Sequence, residues 1–230
     1  MIKENLDTIN SNIKKNCEIA GRDASDVKLI AVTKTKPIAA VQEAYDLGIR
    51  DFGENHVKEI LDKSQKLAPD IRWHMIGHLQ TNKVKPIISK AYMIHSIDSM
   101  KLSDTIDFEA RKQGLVVKGL LEVNISGEES KFGFSPNEAI KLLDRLKMYK
   151  NLHIMGLMTV APIVNDPNDN REIFKKLFDL AVDIRAKNID NVSMSVLSMG
   201  MTDDYEIAIQ EGATYIRVGT GIFGRREVDK

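Results

Sequence analysis

The sequence predicts an α/β protein: a single (β/α)8 barrel of the TIM type with an additional N-terminal helix. Three observations carry this prediction. Short β-like runs alternate with amphipathic helical stretches along the chain. Several of those runs are continuously apolar, as strands of a parallel sheet covered on both faces are. Eight runs can be counted, the number that closes such a barrel, although 230 residues falls slightly short of the usual ~250. The competing architecture is an open, doubly wound sheet.

The elements follow in order. Residues 3–21 carry Leu6, Ile9, Ile13 and Cys17 at helical spacing. "KLIAVTK" (28–34) is the first strand, and the helix after it has Pro37 in its first turn and Gly48 at its end. The next strands are "DFGEN" (51–55), "RWHMIG" (72–77), "MIHSID" (93–98), "VVKGLLEVN" (116–124) and "LHIMGLMTV" (152–160), each followed by a helical pattern. "APIVNDPNDN" (161–170) reads as a surface loop from its prolines and Asn/Asp turn formers. "SVLSMG" (195–200) and "YIRVGTGIFG" (215–224) complete the set. Only "RREVDK" follows, too little for a last helix, so the N-terminal segment is expected to fill that gap in the helical ring. No linker or repeat divides the chain, and residues 1–230 are expected to form one domain.

Bulk properties exclude several functions. Formal net charge is zero, which favours neither nucleic acid nor an anionic membrane. No apolar run reaches the roughly 18 residues that span a bilayer. The polar start lacks a secretory h-region, so a cytoplasmic location is expected, and "NIS" (124–126) is then an incidental sequon. The single cysteine, Cys17, has no partner for a disulfide or a CxxC metal site.

In this barrel class function sits at the C-terminal strand ends, and phosphate is often held after strands seven and eight. Strand seven ends in "LSMGM", with Ser198 and Gly200, and strand eight in "RVGTG", with Gly219, Thr220 and Gly221. Glycines let a phosphate approach backbone N–H groups, and hydroxyls add donors. Arg217 needs a partner inside the barrel, either a carboxylate such as Glu122 or a ligand acceptor. His74 and His78 lie four apart, but on a strand and turn they do not share a face as zinc ligands would. There is no nucleophile elbow, Walker A loop or dinucleotide fingerprint.

"AVTKTKP" (31–37) ends the first strand with two lysines. On a continuing strand Ile30, Val32 and Lys34 share one face, with Lys36 further out at the rim before Pro37. Lys34 is either a carbonyl nucleophile in a cation-rich pocket or one half of an ion pair with a carboxylate such as Glu54.

These stretches, together with "FGENHVKE", "WHMIGHLQTNK", "KFGF" and "LSMGMTDDYEIAIQEGATYIRVGTGIFG", resemble the YggS/PROSC family of pyridoxal 5′-phosphate (PLP) homeostasis proteins over about residues 4–226. The resemblance implies a barrel like the N-terminal domain of alanine racemase. It implies PLP as cofactor, with Lys34 as its Schiff-base lysine and phosphate contacts at Ser198, Gly200, Met201, Gly219 and Thr220. It also implies Arg217 near the pyridine nitrogen and Asn55 close to the ring. An arginine there disfavours ring protonation and makes the cofactor a weak electron sink.

Two function classes follow. One is a PLP carrier or buffer that holds the aldehyde on Lys34 and hands it on, conceivably to PLP-dependent apo-enzymes, as a monomer. The other is a racemase-type enzyme, which needs acid/base groups on both faces of the substrate carbon. In racemase-type relatives a tyrosine from a further β-domain serves the second face, and such a domain is not expected after strand eight. The carrier is the preferred expectation. A barrel for a sugar phosphate, with Lys34 as an aldolase-type base, is a third.

Overall fold

The computed structural model describes residues 1–225. Eight parallel strands close into a barrel in chain order: β1 (Lys28–Val32), β2 (Asp51–Glu54), β3 (Arg72–Met75), β4 (Ala91–Ile97), β5 (Val117–Glu122), β6 (Leu152–Met158), β7 (Val192–Ser198) and β8 (Tyr215–Val218). β1 pairs with β8 from Lys28↔Tyr215 to Ala31↔Val218, which completes the ring. Helices α1 (Ile2–Ile19), α2 (Ile38–Asp46), α3 (Val57–Ser64), α4 (Val84–Ile87), α5 (Met100–Gln113), α6 (Pro136–Leu146), α7 (Arg171–Arg185), α8 (Tyr205–Gln210) and α9 (Thr220–Phe223) surround it.

All eight expected strands are present, and the open-sheet alternative is excluded by closure. Every strand stops short of its expected end, by one or two residues in β1–β7 and by six in β8, and two of these early ends shape the site. β1 stops at Val32, because Lys36 N–H closes a turn onto Thr33 O at 3.0 Å and Thr35 takes a left-handed φ of 63°. Lys34 therefore sits on a turn, not on a continuing strand. β8 stops at Val218, and residues 220–223 form the short α9, a helix that the sequence reading did not anticipate. The rest of the terminal "RREVDK", from residue 226, lies outside the described residues.

Side-chain alternation on the strands creates two apolar layers. Phe52, Trp73, Ile94, Leu121, Leu157 and Ile216 point outward into the layer shared with the helices. Ile30, Met93, Leu120, Met158, Val196 and Tyr215 form a separate cluster inside the barrel. α1 buries Leu6, Ile9, Ile13 and Cys17, the face its periodicity marks. Its polar edge bonds to α8 and α9: Asn12 Nδ2 donates to Tyr205 Oη at 2.9 Å, and Asn5 Nδ2 donates to Ile222 O at 2.8 Å. The N-terminal helix thus occupies the place the ring would otherwise leave empty.

Barrel closure also demands a close approach at Gly156 of β6. A Cβ there would lie 1.7 Å from Val196 O on β7, a backbone atom that cannot rotate away. Gly156→Ala is expected to lower the unfolding free energy by about 3 kcal/mol or more. Denaturant melts test this, and a change below ~0.5 kcal/mol, ordinary for a surface site, would contradict the packing described.

Candidate functional site at the strand ends

The turn after β1 is fixed from three sides. A left-handed φ at a β-branched residue costs roughly 1–3 kcal/mol and persists only where the surroundings impose it. Here Thr35 N–H donates to Glu59 Oε1 at 2.8 Å, and Thr33 Oγ1 donates to Glu54 Oε1 at 2.6 Å. Lys63, on α3, donates to Thr33 O at 2.8 Å and also bridges Glu54 at 2.7 Å and Glu59 at 3.3 Å. Lys63 and Glu54 are both buried. Burial pushes the Glu54 carboxyl up to about 7, against the pull of the Lys63 and Thr33 donors. Burial acts the same way on Glu59, but the Thr35 N–H and Lys63 outweigh it and hold its carboxyl below the usual range.

This cluster decides the question posed by the two lysines. Glu54 is taken by Lys63. Among the described residues the half-buried Lys34 amine makes no hydrogen bond or ion pair. Lys36 Nζ turns away and donates to Phe223 O and Gly224 O, each at 3.2 Å. It ties the Lys34 turn to the C-terminal end of α9. Lys63 was not singled out from the sequence, because a helical lysine four residues after a glutamate reads as an exposed pair.

The β7 and β8 ends lie beside this turn, since β8 is the neighbour of β1. Gly200 is buried with φ 89°, and a Cβ there would lie 2.6 Å from Ala208 Cβ, so only glycine fits. Its carbonyl accepts from Arg217 N–H at 3.0 Å. Met201 N–H donates to Asp204 Oδ1 at 2.7 Å. Thr220 Oγ1 donates to Thr202 Oγ1 at 3.0 Å, and Gly221 N–H reaches the same oxygen at 3.2 Å. Thr202, passed over in the sequence, thereby stitches the two glycine-hydroxyl clusters together. Gly219 packs against Val32 of β1, where a Cβ would be 3.3 Å from Val32 Cβ.

Arg217 is buried and donates to two neutral acceptors, Ser198 Oγ at 2.6 Å and Thr159 O at 2.8 Å. No carboxylate forms an ion pair with it among the described residues. Burial pushes its guanidinium down to about 10, with the more distant Glu122 and Asp204 charges opposing. Burial likewise pushes Glu122 up to about 7, helped by Asp98 and opposed by Arg217. Asn55 is half-buried at the end of β2 and lines a groove of about 870 Å³ with Glu59, Met75 and Gly77. His78 pairs with Asp98 at 2.6 Å and stacks on Phe132, apart from His74. No group of three potential metal ligands occurs among the described residues.

The donor set fits a phosphorylated aldehyde. It offers an unpaired primary amine, a glycine-lined pair of loops with hydroxyls, and a buried guanidinium with no counter-charge in contact.

Two predictions follow from these charges. Lys63→Met leaves Glu54 and Glu59 without their cation and is expected to cost about 3–5 kcal/mol at neutral pH, read by denaturant melts. A loss below ~1 kcal/mol would show that the cluster does not hold the turn. Glu122 keeps a proton in the folded protein between its ordinary value of 4.5 and about 7, a window in which the unfolded chain has lost it. Stability therefore falls as pH rises across that window. Glu122→Gln is expected to stabilise the protein by roughly 3 kcal/mol at pH 8 and to give no gain at pH 4. An equal effect at both pH values would contradict this.

Comparison with known proteins agrees with the geometry. The family model described as alanine racemase, N-terminal domain, matches residues 5–227. A pyridoxal phosphate homeostasis protein of Aquifex aeolicus is 41% identical over 225 residues, covering 97% of this chain and 98% of the relative. The solved structure of PipY from Synechococcus elongatus with PLP bound is 34% identical, with a TM-score of 0.86 over 97% of this chain and all of that one. An alanine racemase of Clostridium difficile shares the fold alone, at 15% identity and a TM-score of 0.72, and this chain spans 57% of its length. Matched by that family model over residues 5–227 and 41% identical to such a relative over nearly the full length of both, the chain belongs to the family of pyridoxal phosphate homeostasis proteins, built on the alanine racemase N-terminal domain.

Proposed function

We propose that this protein binds PLP and serves PLP homeostasis as a carrier, holding the cofactor on Lys34 and releasing it again. The observation that carries this reading is the Lys34 amine: its turn is fixed by five hydrogen bonds from Glu54, Glu59, Lys63 and the turn itself, yet the amine has no partner among the described residues. This much polar contact on a backbone turn, with the amine left unengaged, supports the reading that the amine serves a ligand. When bound, PLP supplies an aldehyde that a primary amine can trap covalently and reversibly.

The remaining residues take roles consistent with their positions. The Gly200–Met201 and Gly219–Thr220 segments would hold the phosphate through backbone and hydroxyl donors. Lys36 would keep that cradle against the Lys34 turn by its bonds to Phe223 and Gly224. Arg217, with Ser198 as its acceptor, would face the pyridine nitrogen and donate to it, which leaves the ring unprotonated and weakly activating. Asn55 would lie along the ring.

The racemase alternative needs a second acid/base group at the mouth. Tyr205 is buried between α8 and α1, bonded to Asn12, and Tyr215 lies at the opposite end of the barrel beside His74 and His95. Neither late tyrosine is placed for that role, which supports the carrier. No helix among the described residues is long and apolar enough to cross a membrane. The proposal extends to a cytoplasmic monomer that hands PLP to apo-enzymes.

Purified protein mixed with PLP is expected to show a visible absorbance band that survives dialysis. Lys34→Ala should abolish it, and Lys36→Ala should weaken PLP retention while leaving the band. Racemisation of a panel of amino acids should stay well below ~1 s⁻¹, the low end of enzyme turnover. A Lys34→Ala protein that retains the band, or racemisation above that rate, would overturn the proposal.

A further inference from the structure

A chain of hydrogen bonds runs through the barrel interior, where side-chain layers in this fold are ordinarily dominated by branched apolar residues. It starts at the N-terminal strand ends. Arg72 Nε and Nη2 donate to the two oxygens of Asp51 at 2.8 and 2.6 Å. Asp51 Oδ1 contacts His74 Nε2 at 2.9 Å, and His74 Nδ1 contacts His95 Nε2 at 2.9 Å. His95 Nδ1 contacts Ser198 Oγ at 2.9 Å, and Ser198 Oγ accepts from Arg217 Nη1 at 2.6 Å. Asp51, both histidines, Ser198 and Arg217 are all buried.

The direction of every bond follows from its two ends. Burial alone would raise the Asp51 carboxyl, but the Arg72 and His74 hydrogen bonds outweigh it and hold the group ionised. An ionised carboxylate only accepts, so His74 Nε2 carries a proton. Burial pushes His74 and His95 below the ordinary histidine range, so each is neutral and has one donor and one acceptor nitrogen. His74 Nδ1 therefore accepts from His95 Nε2–H, and His95 Nδ1 accepts from the Ser198 hydroxyl. The Ser198 proton is thereby committed away from Arg217, and its lone pairs face the guanidinium. Tyr92 and Tyr215 pack on the histidines, and Lys28, Arg72 and Lys118 lie over those rings. Among the described residues none of these groups hydrogen-bonds a nitrogen of His74 or His95, so none competes for the chain.

We propose that Asp51, His74, His95 and Ser198 are positioning residues that fix the Arg217 guanidinium at the ligand face, with both histidines locked as Nε2–H tautomers by the Asp51 carboxylate at the far end of the barrel. A buried polar chain of this kind is rarely a stabilising choice over apolar packing of the same volume. Its use lies in geometry: Arg217 cannot rotate without leaving Ser198, and if the tautomers reverse Ser198 must accept from His95 as well and its own proton loses its acceptor. The proposal rests on the reading of Arg217 as a PLP contact, but the chain itself is a property of the protein without PLP.

Long-range ¹H–¹⁵N spectra of the PLP-free protein test it directly. Both histidines should be neutral Nε2–H tautomers from pH 6 to pH 8, and the Arg217 Nη protons should be protected from exchange. Asp51→Asn keeps an acceptor but removes the charge, and should mix the His74 and His95 tautomers and weaken PLP binding about tenfold. Ser198→Ala leaves Asp51, His74 and His95 in place. It should speed Arg217 Nη exchange and weaken PLP to a similar extent, with the Lys34 adduct still formed. Wild-type tautomers, Arg217 exchange and PLP affinity in both variants would overturn the proposal, as would Nδ1–H tautomers in the wild type. If the wild type bound no PLP, the functional reading would fail, and the spectra of the PLP-free protein would decide the chain on their own.

Discussion

The site depends on one ion pair. Lys63 of α3 reaches the end of β1 and neutralises Glu54 at 2.7 Å while bonding the carbonyl of Thr33. Two consequences follow from a single ammonium group. The turn that carries Lys34 acquires a fixed shape, including the left-handed Thr35. The Glu54 carboxylate at the end of β2 is also engaged. Among the described residues the unshared oxygens Glu54 Oε2 and Glu59 Oε2 are buried without partners, which measures how far polar groups have been concentrated to fix this turn.

From that turn the site extends around the barrel through neighbouring strands. β1 adjoins β8, so the lysine turn and the Gly219–Thr220 segment meet without a long loop. Thr202 joins the β7 and β8 ends, and Lys36 fastens α9 to the lysine turn. Arg217 lies deeper, uncompensated by any carboxylate in contact and supported by neutral acceptors. That choice matters chemically. In the proposed placement of Arg217 at the pyridine nitrogen, a carboxylate would favour a protonated ring and active electron withdrawal, whereas a guanidinium would favour retention without activation. A barrel that holds a reactive aldehyde safely needs the first lysine and the phosphate cradle but gains nothing from a strong sink.

Much of this was legible in the sequence, for reasons that can be named. The eight strands were visible because parallel strands buried on both faces leave unbroken apolar runs, and the outer and inner layers follow from simple alternation. The glycine and hydroxyl clusters were visible because their residue types are chemically unusual at strand ends. The end of β1 was not, because Thr35 adopts a left-handed conformation that threonine seldom takes and that only its contacts with Glu59 impose. Lys63 was hidden because nothing local distinguishes a helical lysine that turns inward from one in water. The partners of Arg217 were left open between Glu122 and a ligand, and its protein partners are the Ser198 hydroxyl and the Thr159 carbonyl. The histidine chain was beyond reach for a related reason: its links join residues 21 and 103 positions apart, and only barrel closure brings them together.

The central claim is that a single amine, Lys34, holds the cofactor. Borohydride reduction of the PLP-loaded protein, followed by peptide mapping by mass spectrometry, tests it most directly. The account predicts one adduct per chain, located on the peptide that contains Lys34. An adduct placed principally on Lys36 or Lys63, or no adduct on a protein that still binds PLP, would contradict it.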